Sequence, residues 1–163
     1  MTVRPTLLYP DPRLALAAEP VSVFDAELAD LAQDLLDTMR AAPGVGIAGP
    51  HIGVLRRLFV VQVTPDQPVW TCVNPVVTSA SAETARHLEG SISLPGAAEE
   101  IERPARVTIT YQDLAGAPHE VDAAGLLGVC FQHEIDQLDG IFWLRRLSRL
   151  RRDRVLKRYS RQH

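Results

Sequence analysis

One stretch of the 163-residue chain constrains its fold more than any other: VDAAGLLGVCFQHEIDQLDG, residues 121–140. Leu127, Cys130, Phe131, Ile135 and Leu138 recur at helical spacing, which predicts a helix over 123–138 with that face turned inward. Gly140 is a natural C-terminal stop. A helix this apolar has to be packed on by other elements. The same helix carries His133, Glu134 and Gln137. Residues four apart lie one above the other on a helix, so His133 and position 137 could share one ion with Glu134 beside them. This is the H-E-x-x-H arrangement of metal hydrolases with glutamine in place of the second histidine. A hydrolytic zinc site needs three protein ligands and an open position for water, and a neutral amide oxygen is a poor ligand for such an ion. Taken alone, the helix supports two readings: a metal site with an unusual ligand, or hydrogen-bonded polar residues on a half-buried helix.

The flanking sequence supplies the partners for this helix. Residues 23–42 place Leu28, Leu31, Leu35 and Met39 at helical spacing, and Pro43-Gly44 ends the run. Residues 55–63 are rich in β-branched residues and read as a strand. Residues 71–80 are extended and broken at Pro75. Residues 105–113 alternate, with Val107, Ile109 and Tyr111 on one face and Thr108 and Thr110 on the other. A turn at Asp113–Gly116 and a short returning strand follow. A basic helix is expected over roughly 145–160. Helix, strands and then two helices predict an α+β fold, and the length suits one domain over 1–163.

The composition, 46 % hydrophobic and 23 % charged, is that of an ordinary globular protein. No apolar run approaches the roughly 20 residues needed to span a bilayer, and the N-terminus lacks a signal-peptide core. No membrane association and a cytoplasmic location are therefore expected. Cys72 and Cys130 lie in apolar surroundings and read as buried thiols. Charge is unevenly distributed. Residues 145–161 hold nine Lys or Arg and one acid, for a local charge of +8, so the remainder carries −11 of the net −3. Two readings of that basic segment coexist: contact with a polyanion such as ribosomal RNA, and a solvated helix packing Leu147, Leu150 and Val155 on the body.

Three segments, taken in order, are more specific than the helix alone. GVGIAGPHIG (44–53), EGSISLP (89–95) and QHEIDQLDG (132–140) resemble, in sequence and spacing, the signature motifs GxGxAAxQ, EGCLS and QHExDH of peptide deformylases. YPDPRLALAAEPV near the start and VNPVV at 73–77 fit the same family, so the resemblance spans nearly the whole chain. It implies the deformylase α+β fold, with antiparallel strands around the central helix. It also implies an activity that removes the formyl group from N-terminal methionine, using Fe²⁺ or a similar divalent metal held by one cysteine and two histidines. The implied ligand-binding residues are Gly44, Gly46, Glu89, Gly90, Ile92 and Gln132. His133 matches a metal ligand and Glu134 the catalytic base.

Three positions depart from the motifs. Ser91 stands where the family has its cysteine ligand, Gln137 where it has its second histidine ligand, and His51 where it has the glutamine that stabilises the oxyanion. An alcohol is neutral at pH 7 and a feeble ligand compared with a thiolate. Disturbing a residue behind a metal ligand typically costs about 10–100-fold in affinity or activity, and losing two direct ligands should cost more. The leading expectation is therefore a deformylase-like protein with a degraded metal site and no metal at full occupancy. Such a protein would keep a pocket for a formyl-peptide or small acyl ligand. The first alternative is an active deformylase or amidase whose site, rebuilt around His51 and His133, holds Fe, Zn or Ni. The second is a metal-free serine hydrolase using Ser91 and His133. Gly46, His51, Glu89, Ser91, His133, Glu134 and Gln137 are expected to converge. Arg103 and Arg106 are candidates for pairing with a bound peptide.

Overall fold

The computed structural model describes residues 2–162. A 3-10 turn at Pro12–Ala15 leads into helix α1, Ala26–Ala41. The Asp25 carboxylate caps α1 by accepting from the Leu28 N–H at 3.0 Å. Strands β1 (Gly46–Ala48), β2 (Leu58–Val61) and β3 (Trp70–Ala80) follow, then the hairpin β4 (Thr84–Ser91) and β5 (Leu94–Pro104). Strands β6 (Arg106–Gln112) and β7 (Pro118–Ala124) precede helix α2, Gly125–Leu138. A short 3-10 turn, Trp143–Arg146, then leads to helix α3, Arg149–Gln162. Five strands form one antiparallel sheet in the order β1-β2-β3-β6-β7, and β4 and β5 pair only with each other. The α+β expectation is met.

Helix α2 lies against the five-stranded sheet. Phe131, Ile135 and Leu138 are buried with Phe59, Val61, Cys72, Val107 and Ile109. Phe131 stacks obliquely on Phe59 and meets the edge of Trp70. Helix α1 buries Leu28, Leu31, Leu35 and Met39 against Ile47, Leu58, Val60 and Val73. A third cluster joins β5 to the C-terminal segment through Leu94, Ile101, Trp143, Leu147 and Val155. Gly140 adopts φ of 78° after α2, a left-handed turn that glycine takes without steric cost.

Several expectations are corrected in detail. Strand β3 runs through Pro75 rather than breaking there. Its register with β6 shifts between Val73 and Val76, a bulge that absorbs the missing proline N–H. Asn74, at φ of 50°, bonds both backbone groups of Val21 at this irregularity. On α3, Val155 is buried but Leu150 is 62 % exposed. The packing face is therefore shifted: Leu156 and Tyr159 pack beside Val155, and Leu150 does not. Among the described residues no helix is long and apolar enough to cross a membrane.

Candidate active site

The central helix, the β1 segment and the β4–β5 hairpin enclose a cleft of about 720 Å³. Gly44, Gly46, His51, Glu89, Gly90, Ser91, Ile92, His133 and Glu134 all line it, with Val45, Leu88, Leu126, Val129 and Cys130 supplying an apolar wall. Each of the three motifs therefore contributes. Two residues expected here lie elsewhere. The Gln132 amide donates to the carbonyls of Pro104 and Gly128 at 3.1 and 3.2 Å, fastening α2 to the end of β5. Gln137, 1 % exposed, donates its amide N–H to the Leu14 carbonyl at 2.8 Å. Neither is among the residues that line the cleft.

His133 is held from behind. Its Nδ1 lies 3.0 Å from Glu89 Oε1, so the Nδ1–H donates to that carboxylate and, in the neutral ring, the lone pair is on Nε2. Glu89 also accepts from Arg103 Nε at 2.6 Å and Nη2 at 2.9 Å. Arg103 Nη1 donates to Asp136 at 2.8 Å, and Asp136 accepts two further bonds from Arg146, at 2.8 and 2.6 Å. Burial opposes charge on Glu89, but His133 and Arg103 outweigh it and hold the carboxyl below its usual range. Burial also opposes charge on His133. The Glu134 and Glu89 carboxylates outweigh it and hold the imidazole pKa above its ordinary value. Arg103 is thus a buried member of an ion network and is not free to meet a peptide; Arg106 is exposed.

Glu134 is buried, and its Oε1 has no hydrogen-bond partner. Burial pushes its carboxyl up to about 7, against the opposing pull of His133. Its approach depends on Gly46: a Cβ there would lie 2.6 Å from Glu134 Oε2, so any side chain would displace the carboxylate.

His51 is 1 % exposed and turns back on its own loop. Its Nδ1 accepts from the Ala48 N–H at 2.9 Å, which commits that lone pair and places the ring proton on Nε2. The Nε2 is buried without a partner. Burial, and then the charge of His133, drive its pKa down to about 3, so the ring is neutral near pH 7. Its 3.8 Å approach to Glu134 is therefore not an ion pair. The hydroxyl of Ser91 accepts from the Ser93 N–H at 3.0 Å.

The family metal can be tested against these donors. One ligand atom each from His51, His133 and Glu134 lies within 4.8 Å of the others, so three buried donors converge. In the hydrogen-bonding arrangement described, however, only His133 and Glu134 offer an uncommitted donor atom. Binding through His51 Nδ1 would break the Ala48 bond, and binding through Nε2 would require loss of the ring proton. Ser91 offers a neutral alcohol, and Gln137, whose N–H is tied to Leu14, offers only a neutral amide oxygen. The donors at positions 91, 133 and 137 do not fit a cation that needs a thiolate and two imidazoles.

Sequence reasoning missed the network of Arg103, Asp136 and Arg146. Strand parity carried a signal, because Arg103 shares a face with the apolar Ile101 in β5, where a lone cation must find partners.

Comparison with known proteins agrees with this geometry. The family model for polypeptide deformylase matches residues 3–153. A peptide deformylase-like protein of Brucella melitensis is 56 % identical over 160 residues, covering 98 % of both chains. A peptide deformylase of Rhizobium meliloti is 42 % identical over 98 % of this chain and 94 % of its own. Among solved structures, the Ehrlichia chaffeensis peptide deformylase in complex with actinonin superposes with a TM-score of 0.93 at 32 % identity, covering 100 % of this chain and 99 % of that one. With its three motifs gathered around one cleft and its full length matched, this chain belongs to the polypeptide deformylase family.

Proposed function

We propose that this protein keeps the family cleft as a binding site for an N-acylated peptide end or a small acyl compound. We further propose that it does not carry out efficient metal-dependent deformylation. One observation carries this reading: the buried Gln137 donates its N–H to the Leu14 carbonyl, which leaves only a neutral amide oxygen at the position where the family resemblance implies a histidine ligand. Ser91, in the cysteine's place, is a neutral alcohol already bonded to the Ser93 N–H. His51 supports retained binding. It accepts from a backbone N–H and has its one remaining proton on Nε2, the same acceptor-plus-donor pattern as the amide it replaces. A neutral donor of this kind can meet an acyl oxygen without metal.

The convergence of His51, His133 and Glu134 within 4.8 Å favours a second reading, a rebuilt divalent-metal site with deformylase or amidase activity. It requires His51 to give up its present hydrogen bond. The serine-hydrolase reading has less support, since the Ser91 hydroxyl bonds to Ser93 and not to His133.

Elemental analysis of anaerobically purified protein, paired with a formyl-Met-peptide hydrolysis assay, tests the proposal. Native protein is expected to be substoichiometric in metal and slow. The Ser91→Cys/Gln137→His double variant is expected to take up metal and gain more than about 100-fold in rate, beyond the range typical of a change behind a ligand. Stoichiometric metal with ordinary turnover in the native protein would overturn it.

We also propose that α3 contacts a polyanion such as ribosomal RNA. Arg149, Arg154, Lys157 and Arg161 are exposed, and no ion pair ties them to the body among the described residues. Ribosome co-sedimentation that survives replacement of these four by Gln would end that idea.

A further inference from the structure

A second, smaller hollow of about 170 Å³ lies just past the C-terminal end of α2, where Gly140 and Phe142 meet the 3-10 turn at Pro12–Ala15 and the first turn of α3. It shares no residue with the cleft. At about 30 Å³ per water molecule, it has room for a single small organic molecule. One side is apolar, formed by Leu14, Leu144 and the rings of Tyr9 and Phe142, which stack with centroids 5.0 Å apart. Arg145 and Arg152 are also among the residues that line the hollow.

These two cations are poorly satisfied. Neither has a carboxylate partner among the described residues. Arg145 reaches the Gly140 carbonyl only at 3.5 Å, and Arg152 reaches the Leu147 carbonyl only at 3.5 Å. The Nε of Arg152 is buried with no acceptor at all. The acid that lines the hollow, Asp11, is already neutralised. Arg13 gives it the backbone N–H at 2.9 Å, Nε at 3.1 Å and Nη2 at 2.8 Å. The uncompensated charge of the hollow is therefore positive.

We propose that this hollow binds a small organic oxyanion, a carboxylate or phosphate on a compact apolar body. Arg145 and Arg152 take the oxygens, and Tyr9, Leu14, Phe142 and Leu144 surround the body. A planar guanidinium offers parallel donors that match the oxygens of either group. The occupant would sit against Leu14, whose carbonyl holds the Gln137 amide, so the site adjoins the residue that replaced a family ligand.

The test is an amide-detected NMR titration of the full chain with benzoate, with inorganic phosphate, and with benzyl alcohol as an uncharged mimic of benzoate. Expected are saturable shifts at Leu14, Gly140 and Phe142 with at least one anion, and none with the alcohol. Binding should weaken at least tenfold in Arg145→Gln and in Arg152→Gln, and not in Arg149→Gln. Because Arg145 is exposed, its variant carries the test even if Arg152→Gln fails to fold. A tighter response to benzoate assigns the carboxylate, and a tighter response to phosphate assigns the phosphate. The proposal fails if neither anion saturates, if benzyl alcohol binds equally, or if Arg145→Gln binds as tightly as the native chain.

Discussion

The two sides of His133 are built differently. Behind it, Glu89, Arg103, Asp136 and Arg146 form a chain of charge-assisted bonds of 2.6–2.9 Å. Toward the cleft, His51 and Ser91 are neutral groups tied to backbone groups of their own surroundings, as is Gln137 beyond the cleft lining. His133 is thus held by charged groups, while His51, Ser91 and Gln137 are held by neutral hydrogen bonds. The contrast teaches that side chains gathered near one imidazole can be fixed by two kinds of bond that differ in what their removal costs. Removing either partner of a buried ion pair strands a charge, whereas exchanging one neutral, hydrogen-bonded side chain for another does not.

That difference can be broken from its stronger side first. Arg103→Met leaves the buried Glu89 with His133 as its remaining partner, while Asp136 keeps Arg146, and is expected to lower unfolding stability by roughly 3–5 kcal/mol, measured by urea denaturation. A loss under about 1 kcal/mol would mean that the network does not hold the site.

The next test is pH-dependent. The Glu134 carboxyl rises from 4.5 to about 7 on folding, so the folded state holds its proton more tightly than the unfolded chain. The resulting stabilisation is complete below pH 4.5 and is lost as pH rises through 7. Between pH 5 and 8 the native protein should lose on the order of 2–3 kcal/mol relative to Glu134→Gln. Parallel stability profiles for the two proteins would show that the carboxyl is not perturbed.

Among the neutral groups, Gln137→Leu leaves the Leu14 carbonyl without this donor and is expected to cost about 1–3 kcal/mol. Thermal unfolding of the variant measures this, and an unchanged midpoint would remove the local bond from the account of position 137.

The smallest effect should come from the periphery. Glu99 joins Arg151 at 3.1 Å and Arg158 at 3.3 Å on α3. These bridges are partly exposed, so Glu99→Gln should change stability by less than about 1 kcal/mol while increasing amide exchange along α3. A larger loss would place α3 among the elements that hold the core together.

Much of this molecule was legible in the chain itself. The periods of α1 and α2 and the alternation of β6 follow from burying one face of each element. The three motifs name residues that line the cleft, among them Gly46, His51, Ser91 and His133, and also Gln132 and Gln137, which do not. The β4–β5 hairpin escaped notice. Its strands carry Gly90, Pro95, Gly96 and an acidic run, which read locally as loop. They are strands because Thr84 to Glu89 find partners from Glu99 to Pro104. Gln132 was misplaced for a related reason: helical spacing gives the face of a residue but not which carbonyl its amide will meet.

By itself, then, the sequence determined the fold class, the central helix and the identity of the three altered positions. It did so because periodicity and residue chemistry are properties of the chain. Only the tertiary structure decided what those positions do now. Which carbonyl the amide N–H at 137 meets and that Arg103 binds Glu89 are matters of distance between groups far apart in sequence, and the proton of His51 follows from how its ring turns toward Ala48. Hydrogen bonds and ion pairs depend on separations of a few tenths of an ångström, and those separations exist only once the chain has packed.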